Sequence, residues 1–247
     1  MRNLHTIANC GALFLTTTGS FLGSSFVFRY PNCLLTAAHC VGEASPGDLC
    51  AMIYATGKRI YPARRVHKHP TADIALVEIA GVDETTIGWP VYSLYDDRGF
   101  GVEVMSCGFP EDVALDRSAP TARVFRGHVQ RFMDWRSYFG YEYFAAELSF
   151  RCPGGLSGGP VVNPELPGRV YGVITEDVQT SNILSSIEEV HEDGRVYREH
   201  YQNFISYGIC VWLPAVADWL DNVAPPVPQE ELARRGKLQR EMQAARQ

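Results

Sequence analysis

The sequence is short of positive charge: its 247 residues carry 22 Lys plus Arg against 28 Asp plus Glu, a formal net charge of −6. Proteins that hold phosphate backbones usually show the opposite balance, so no nucleic acid is expected as a partner. Long apolar runs are missing too. Stretches such as Ala12-Leu13-Phe14-Leu15 break off long before the roughly 20 positions a membrane helix needs, and no membrane span is expected. No Cys-x-x-Cys pair occurs, which removes the usual signature of a zinc or redox site. The seven cysteines, at positions 10, 33, 40, 50, 107, 152 and 210, are odd in number and irregularly spaced. A complete disulfide framework is therefore excluded, and buried apolar thiols are expected. The segment Ile7-Ala8-Asn9-Cys10 comes near a lipoprotein cleavage site, but His5 and Asn9 interrupt the apolar stretch such a leader needs. The chain is expected to be mature from Met1 and cytoplasmic.

What is present points to β structure. The 22 Gly and 15 Pro are scattered along the chain, so turns should come often and the segments between them should be short. β-like runs recur at 10–16, 25–28, 33–35, 50–54, 74–79, 102–107, 124–132, 143–150, 160–162, 170–174 and 205–213. With no crossover helices between them, these runs predict antiparallel barrels or a sandwich. The polar stretch 92–101 is the expected seam, giving an N-terminal β domain over 1–95 and a C-terminal one over 96–223. Residues 215–222 look helical, with Val216, Trp219 and Leu220 on one face. A Pro-rich linker and helix-prone tail then fill 224–247. The polar insertion 180–203 is too long for an ordinary hairpin and reads as a functional or mobile loop. The insertion and the tail at 229–247 are the expected handles for an activating protein partner.

Three segments carry chemistry: Leu35-Thr36-Ala37-Ala38-His39-Cys40, Thr71-Ala72-Asp73-Ile74-Ala75-Leu76 and Gly154-Gly155-Leu156-Ser157-Gly158-Gly159-Pro160. They supply, in chain order, an imidazole, a carboxylate and a hydroxyl. Serine is a poor nucleophile unless a base stands within hydrogen-bond reach, and that base needs an acceptor to hold its tautomer. Glycines beside Ser157 allow main-chain amides to approach a substrate oxygen closely. His67 and His69 lack a third ligand of suitable spacing, so no metal is expected, nor any cofactor.

On these motifs the sequence resembles the trypsin/chymotrypsin-like serine protease family. The order His39, Asp73, Ser157 is that family's order, and Gly172-Val173-Ile174-Thr175 and 207–220 extend the likeness. The resemblance implies an all-β fold of two antiparallel six-stranded β-barrels with a C-terminal helix, and serine endopeptidase activity on protein or peptide substrates. It further implies that Ser157 is the nucleophile, His39 the general base and acid, and Asp73 the group that orients the imidazole. The amides of Gly155 and Ser157 would form the oxyanion hole, and Thr175 would support the buried aspartate.

The departures from the family pattern are specific. A disulfide ending at Cys40 would need its partner at Ser24, so it is absent. The position before the nucleophile, where secreted members carry the aspartate that receives a newly cut N-terminus, holds Leu156, so activation by that route is not expected. The implied substrate-binding residues are Arg151, Cys152, Thr175, Glu176, Asp177 and Gly208. Arg151 would favour an acidic substrate side chain while Glu176 and Asp177 would favour a basic one, and the charges can also neutralise each other. Gly208 is compatible with an open pocket. Two other functions stay open: a latent or inactive binding module that needs a partner to order its oxyanion hole, and an esterase using the same chemistry.

Overall fold

The computed structural model describes residues 8–57, 59–82, 93–94, 99–111, 121–166, 168–191, 195–230, 232–234 and 237. Short alternating runs build β1 (Cys10–Leu15), β2 (Phe21–Phe28), β3 (Tyr30–Thr36), β4 (Leu49–Ile53), β5 (Ile60–Lys68) and β6 (Ala75–Ile79). They close into a barrel in the order β1-β2-β3-β6-β5-β4, every neighbour antiparallel. The second half contributes β7 (Ser93–Leu94), β8 (Glu103–Gly108), β9 (Arg123–Arg136), β10 (Glu142–Leu148), β11 (Pro160–Val162), β12 (Arg169–Val190) and β13 (Val196–Trp212). Their order is β11-β8-β9-β10-β13-β12-β7, and a β11–β12 pairing closes six of them into a second ring, with β7 added parallel to β12. Ring closure leaves few bare strand edges in either body. The two-barrel, all-β expectation therefore holds.

The barrels share one core. Phe26, Phe28 and Leu76 of the first pack in a single buried cluster with Val173 and Val211 of the second. The same cluster takes Leu220 from the closing helix α2 (Ala217–Val223), which matches the helix expected at 215–222. Ala224 and Val227 of the Pro-rich segment are buried, and the Arg29 guanidinium of the first barrel donates to the Ala224 carbonyl and pairs with Asp221 at 2.7 Å. The segment after the helix is thus strapped to the body at its start. No helix among the described residues is long and apolar enough to cross a membrane.

Two elements differ from the sequence reading. Strand β5 was not expected, because Pro62 and the pair Arg64-Arg65 break its apolar pattern, yet it bridges β4 and β6 with alternate side chains outward. The insertion 180–203 is no loop over its described part: it is a two-stranded ribbon, β12 against β13, paired out to Val190 and Val196 with one register shift between Ile183 and Ser185. Tyr197 and Tyr201 stand exposed on one face of it, Ile183 and Phe204 on the other. Half of the seam at 92–101 lies outside the described residues, as does most of the tail at 229–247.

Candidate active site

His39 sits in α1 (Ala38–Val41), a single helical turn that follows β3 directly. The small, fully buried Ala37 and Ala38 let that turn sink against the barrel, and Val41 anchors its far end. Asp73 lies in the β5–β6 loop between Ala72 and Ile74, both buried in the shared core. The loop is shaped by His69, whose Nδ1 accepts the amides of Thr71 and Ala72 at 3.2 and 2.9 Å, a structural use of that imidazole. Among the described residues, no three His, Cys, Asp or Glu side chains are grouped to hold a metal.

Asp73 is fully buried and meets His39 at two points. Its Oδ1 accepts the His39 amide at 2.9 Å, and its Oδ2 lies 2.6 Å from His39 Nδ1. This two-point grip fixes both the backbone and the ring of the histidine. Burial opposes a charged imidazolium, but hydrogen bonds to Asp73 and Cys40, with the charges behind them, overcome it and raise His39 to about 10. Cys40 Sγ lies 3.6 Å from His39 Nε2 and 3.6 Å from the Ser157 carbonyl, so imidazole and nucleophile segment flank one sulfur atom. The three residues are therefore gathered at the junction of the two barrels.

Ser157 Oγ donates to the Thr175 carbonyl at 3.0 Å. The Thr175 hydroxyl donates to the Ile209 carbonyl at 3.1 Å and accepts from Tyr143 at 2.8 Å. It does not reach Asp73, so the support expected from Thr175 comes from its main chain and is directed at the serine.

Directly before Ser157 the loop is anchored by apolar burial. Leu156 is fully buried among Val161, Tyr171 and Trp212, its amide donates to Pro153 and its carbonyl accepts from Gly159. Burying such a side chain is worth roughly 1.5–3 kcal/mol. The Gly154 carbonyl accepts the Glu111 amide at 2.8 Å. Because a trans peptide is planar, the Gly155 N–H on the same unit faces the opposite way. Gly155 takes a φ of +83°, and a Cβ there would stand 2.6 Å from the Phe109 carbonyl, so only glycine fits. Among the described residues, neither the Gly155 nor the Ser157 amide has a protein acceptor, which leaves both available to an oxyanion.

Other candidates fall around this centre. Arg151 Nε lies 3.4 Å from Asp177 Oδ2, and Asp177 Oδ1 accepts the Cys152 amide at 2.9 Å, so the two opposed charges pair with each other. Cys152 is a buried thiol held well above its usual range by that burial. Gly208 is required by packing: a Cβ there would lie 2.2 Å from Cys152 Sγ. Its place therefore reflects close approach to a sulfur and not an open wall. Glu176 is half-buried, and burial raises its carboxyl.

Three features escaped the sequence reading. The tip of the β9–β10 hairpin carries Phe139 onto the His39 ring, face to face at 4.3 Å with 7° between planes. The hairpin is moored there because the Glu142 amide donates to the Thr71 carbonyl, in the loop that bears Asp73. Ser24 lies beneath the nucleophile loop and not opposite Cys40: the residue facing that thiol is Gly23, where a Cβ would stand 2.5 Å from Cys40 Sγ. The Glu111 amide had no sequence signal at all.

No curated protein sequence matches the chain. Among solved structures, the active form of the Rv3671c protease of M. tuberculosis superposes with a TM-score of 0.62 at 15% identity, covering 92% of this chain and 86% of that one. The MamO protease domain of Magnetospirillum magneticum gives 0.61 at 15% identity, covering 88% and 98%. The HtrA-type protease AlgW with a decapeptide gives 0.60 at 17% identity, covering 92% and 68%. Identities this low speak for the fold. The model of the trypsin-like peptidase domain matches residues 18–173, a span that holds His39, Asp73 and Ser157, and the chain belongs to that family.

Proposed function

We propose that the protein is a serine endopeptidase. The observation that carries this reading is the two-point contact of buried Asp73 with His39, at the same junction as Ser157 and two unengaged amides. In this mechanism Ser157 Oγ leaves the Thr175 carbonyl for His39 Nε2. Neutral His39 takes its proton as Oγ bonds to the substrate carbonyl carbon, and Asp73 stabilises the imidazolium that results. The Gly155 and Ser157 amides receive the developing oxyanion. His39 then passes the proton to the leaving amine, leaving an acyl group on Ser157, and water repeats the sequence to free the acid. The substrate is a protein or peptide chain, and the seven buried free thiols support a cytoplasmic site of action.

A second reading, a latent enzyme that awaits a protein partner, is favoured by the resting hydrogen bond of Ser157 to Thr175. The ribbon over 180–203 and the tail at 229–247 are the handles for such a partner. Intact mass after treatment with a fluorophosphonate, under reducing conditions, separates the two. A single adduct that Ser157→Ala abolishes, with cleavage of a peptide library, is the result expected of an assembled endopeptidase. A folded protein that takes no adduct would overturn that reading in favour of the latent one, and ester turnover without peptide cleavage would make it an esterase.

A further inference from the structure

We propose that Ser24 is a positioning residue for the oxyanion donors, a hydroxyl clamp that ties the nucleophile loop to the first barrel; this rests on reading the Gly155 and Ser157 amides as the oxyanion hole. Ser24 is fully buried on β2. Its Oγ donates to the Gly155 carbonyl at 2.7 Å and accepts the Phe109 amide at 2.8 Å. Its own amide donates to the Ser157 carbonyl at 2.8 Å, and its carbonyl accepts Thr36 Oγ1 at 2.8 Å. The direction of the hydroxyl proton is fixed by its neighbours, since an amide can only donate and a carbonyl can only accept. The chain Phe109 N–H to Ser24 O–H to Gly155 C=O runs one way, and each bond polarises the next.

The surroundings are shaped for this contact. A Cβ on Gly108 would lie 2.4 Å from Ser24 Oγ, and one on Gly158 would lie 1.9 Å from the Ser24 carbonyl. Both positions need glycine so that the loop can close on the serine. The consequence is geometric. The oxyanion donors belong to the 154–155 and 156–157 peptides, and the peptide between them is the one whose carbonyl Ser24 Oγ holds. Glu111 holds the unit on one side and the Ser24 amide holds the Ser157 carbonyl on the other. With the hydroxyl gone, the central peptide loses its only side-chain tether among the described residues, and a turn about it swings both donor N–H bonds.

The test compares Ser24→Ala and Ser24→Cys with the wild type, all under reducing conditions, the cysteine keeping the side-chain shape while weakening the donor. The readouts are kcat and KM on a small p-nitrophenyl ester, the rate of fluorophosphonate adduct formation, and the affinity of a peptide boronic acid, with thermal melts as the control for folding. We expect kcat and adduct rate to fall about tenfold or more in either variant, with boronic acid affinity falling in parallel and KM nearly unchanged. Wild-type kcat in a folded variant, or a rise in KM alone, would overturn the proposal while leaving the active-site reading intact. A wild type inert to the fluorophosphonate would overturn that reading and this proposal with it.

Discussion

Replacing Phe139 by leucine should lower the pKa of His39. The ring lies 4.3 Å from the imidazole and nearly parallel to it, within the reach of about 6 Å over which a cation feels the negative face of an aromatic ring. Phe139 is 52% exposed, which places the attraction at the weak end, about 0.5–1 kcal/mol. At 1.36 kcal/mol per unit, that becomes a fall of roughly 0.4–0.7 units. Leucine is the informative change because it keeps the apolar cover and removes only the quadrupole. Alanine also admits water, which favours the charged ring, so its two effects oppose and its shift should be smaller or reversed. The measurement is an NMR titration of the His39 ring, made in the Ser157→Ala background to prevent turnover. An unchanged or raised value in the leucine variant would refute the electrostatic argument and leave Phe139 as a steric cover alone.

The other predictions concern the same cleft. With His39 at about 10 against a usual value near 6.5, kcat/KM on an ester should climb about tenfold per pH unit from neutrality and level off near pH 10, since only neutral imidazole can act as base. Stability should move the other way: the His39 contribution is complete below pH 6.5 and is lost as pH rises through about 10, so wild-type and His39→Ala melting temperatures should converge at high pH. A flat rate profile from pH 7 to 10 would refute this. Leu156→Ala should cost about 2–5 kcal/mol in urea denaturation, because it opens a cavity in a closed cluster. Leu156→Asp puts a carboxylate there with no ammonium to meet it, and should abolish fluorophosphonate reactivity; undiminished reactivity would show that apolar anchoring does not hold the loop.

The three motif segments were legible because each is local: a few consecutive residues fix the turn that presents His39, Asp73 or Ser157. The barrel strands were legible where a nearly unbroken apolar run is buried throughout, as in β4 and β6, and failed where the run is interrupted. In β5, Pro62 and Arg64-Arg65 face outward and hide a strand that only its neighbours define. The outer ribbon failed for a related reason. Its polar residues lack a buried face to impose a period of two, so cross-strand pairing alone reveals it. Ser24, Phe139 and the Glu111 amide act through partners 131, about 100 and 43 residues away in the chain, and no local pattern announces a contact of that kind. The sequence spacing placed the lost bridge to Cys40 at Ser24, whereas in the structure Gly23 faces Cys40 and the Ser24 hydroxyl makes a separate contact with Gly155.

The ribbon has a mechanical side. Strand β12 runs without a break from Thr175, whose carbonyl holds the Ser157 hydroxyl, to Val190 at the far end of the pairing. At about 3.3 Å per residue that is a lever arm of some 50 Å along one covalent backbone. Its register shifts at two places, between Ile174 and Glu176 and between Ile183 and Ser185, and bulges are where a strand bends and twists most. A load applied at the outer part of the arm has its largest bending moment at the base, and the bulge at the base is Thr175 itself.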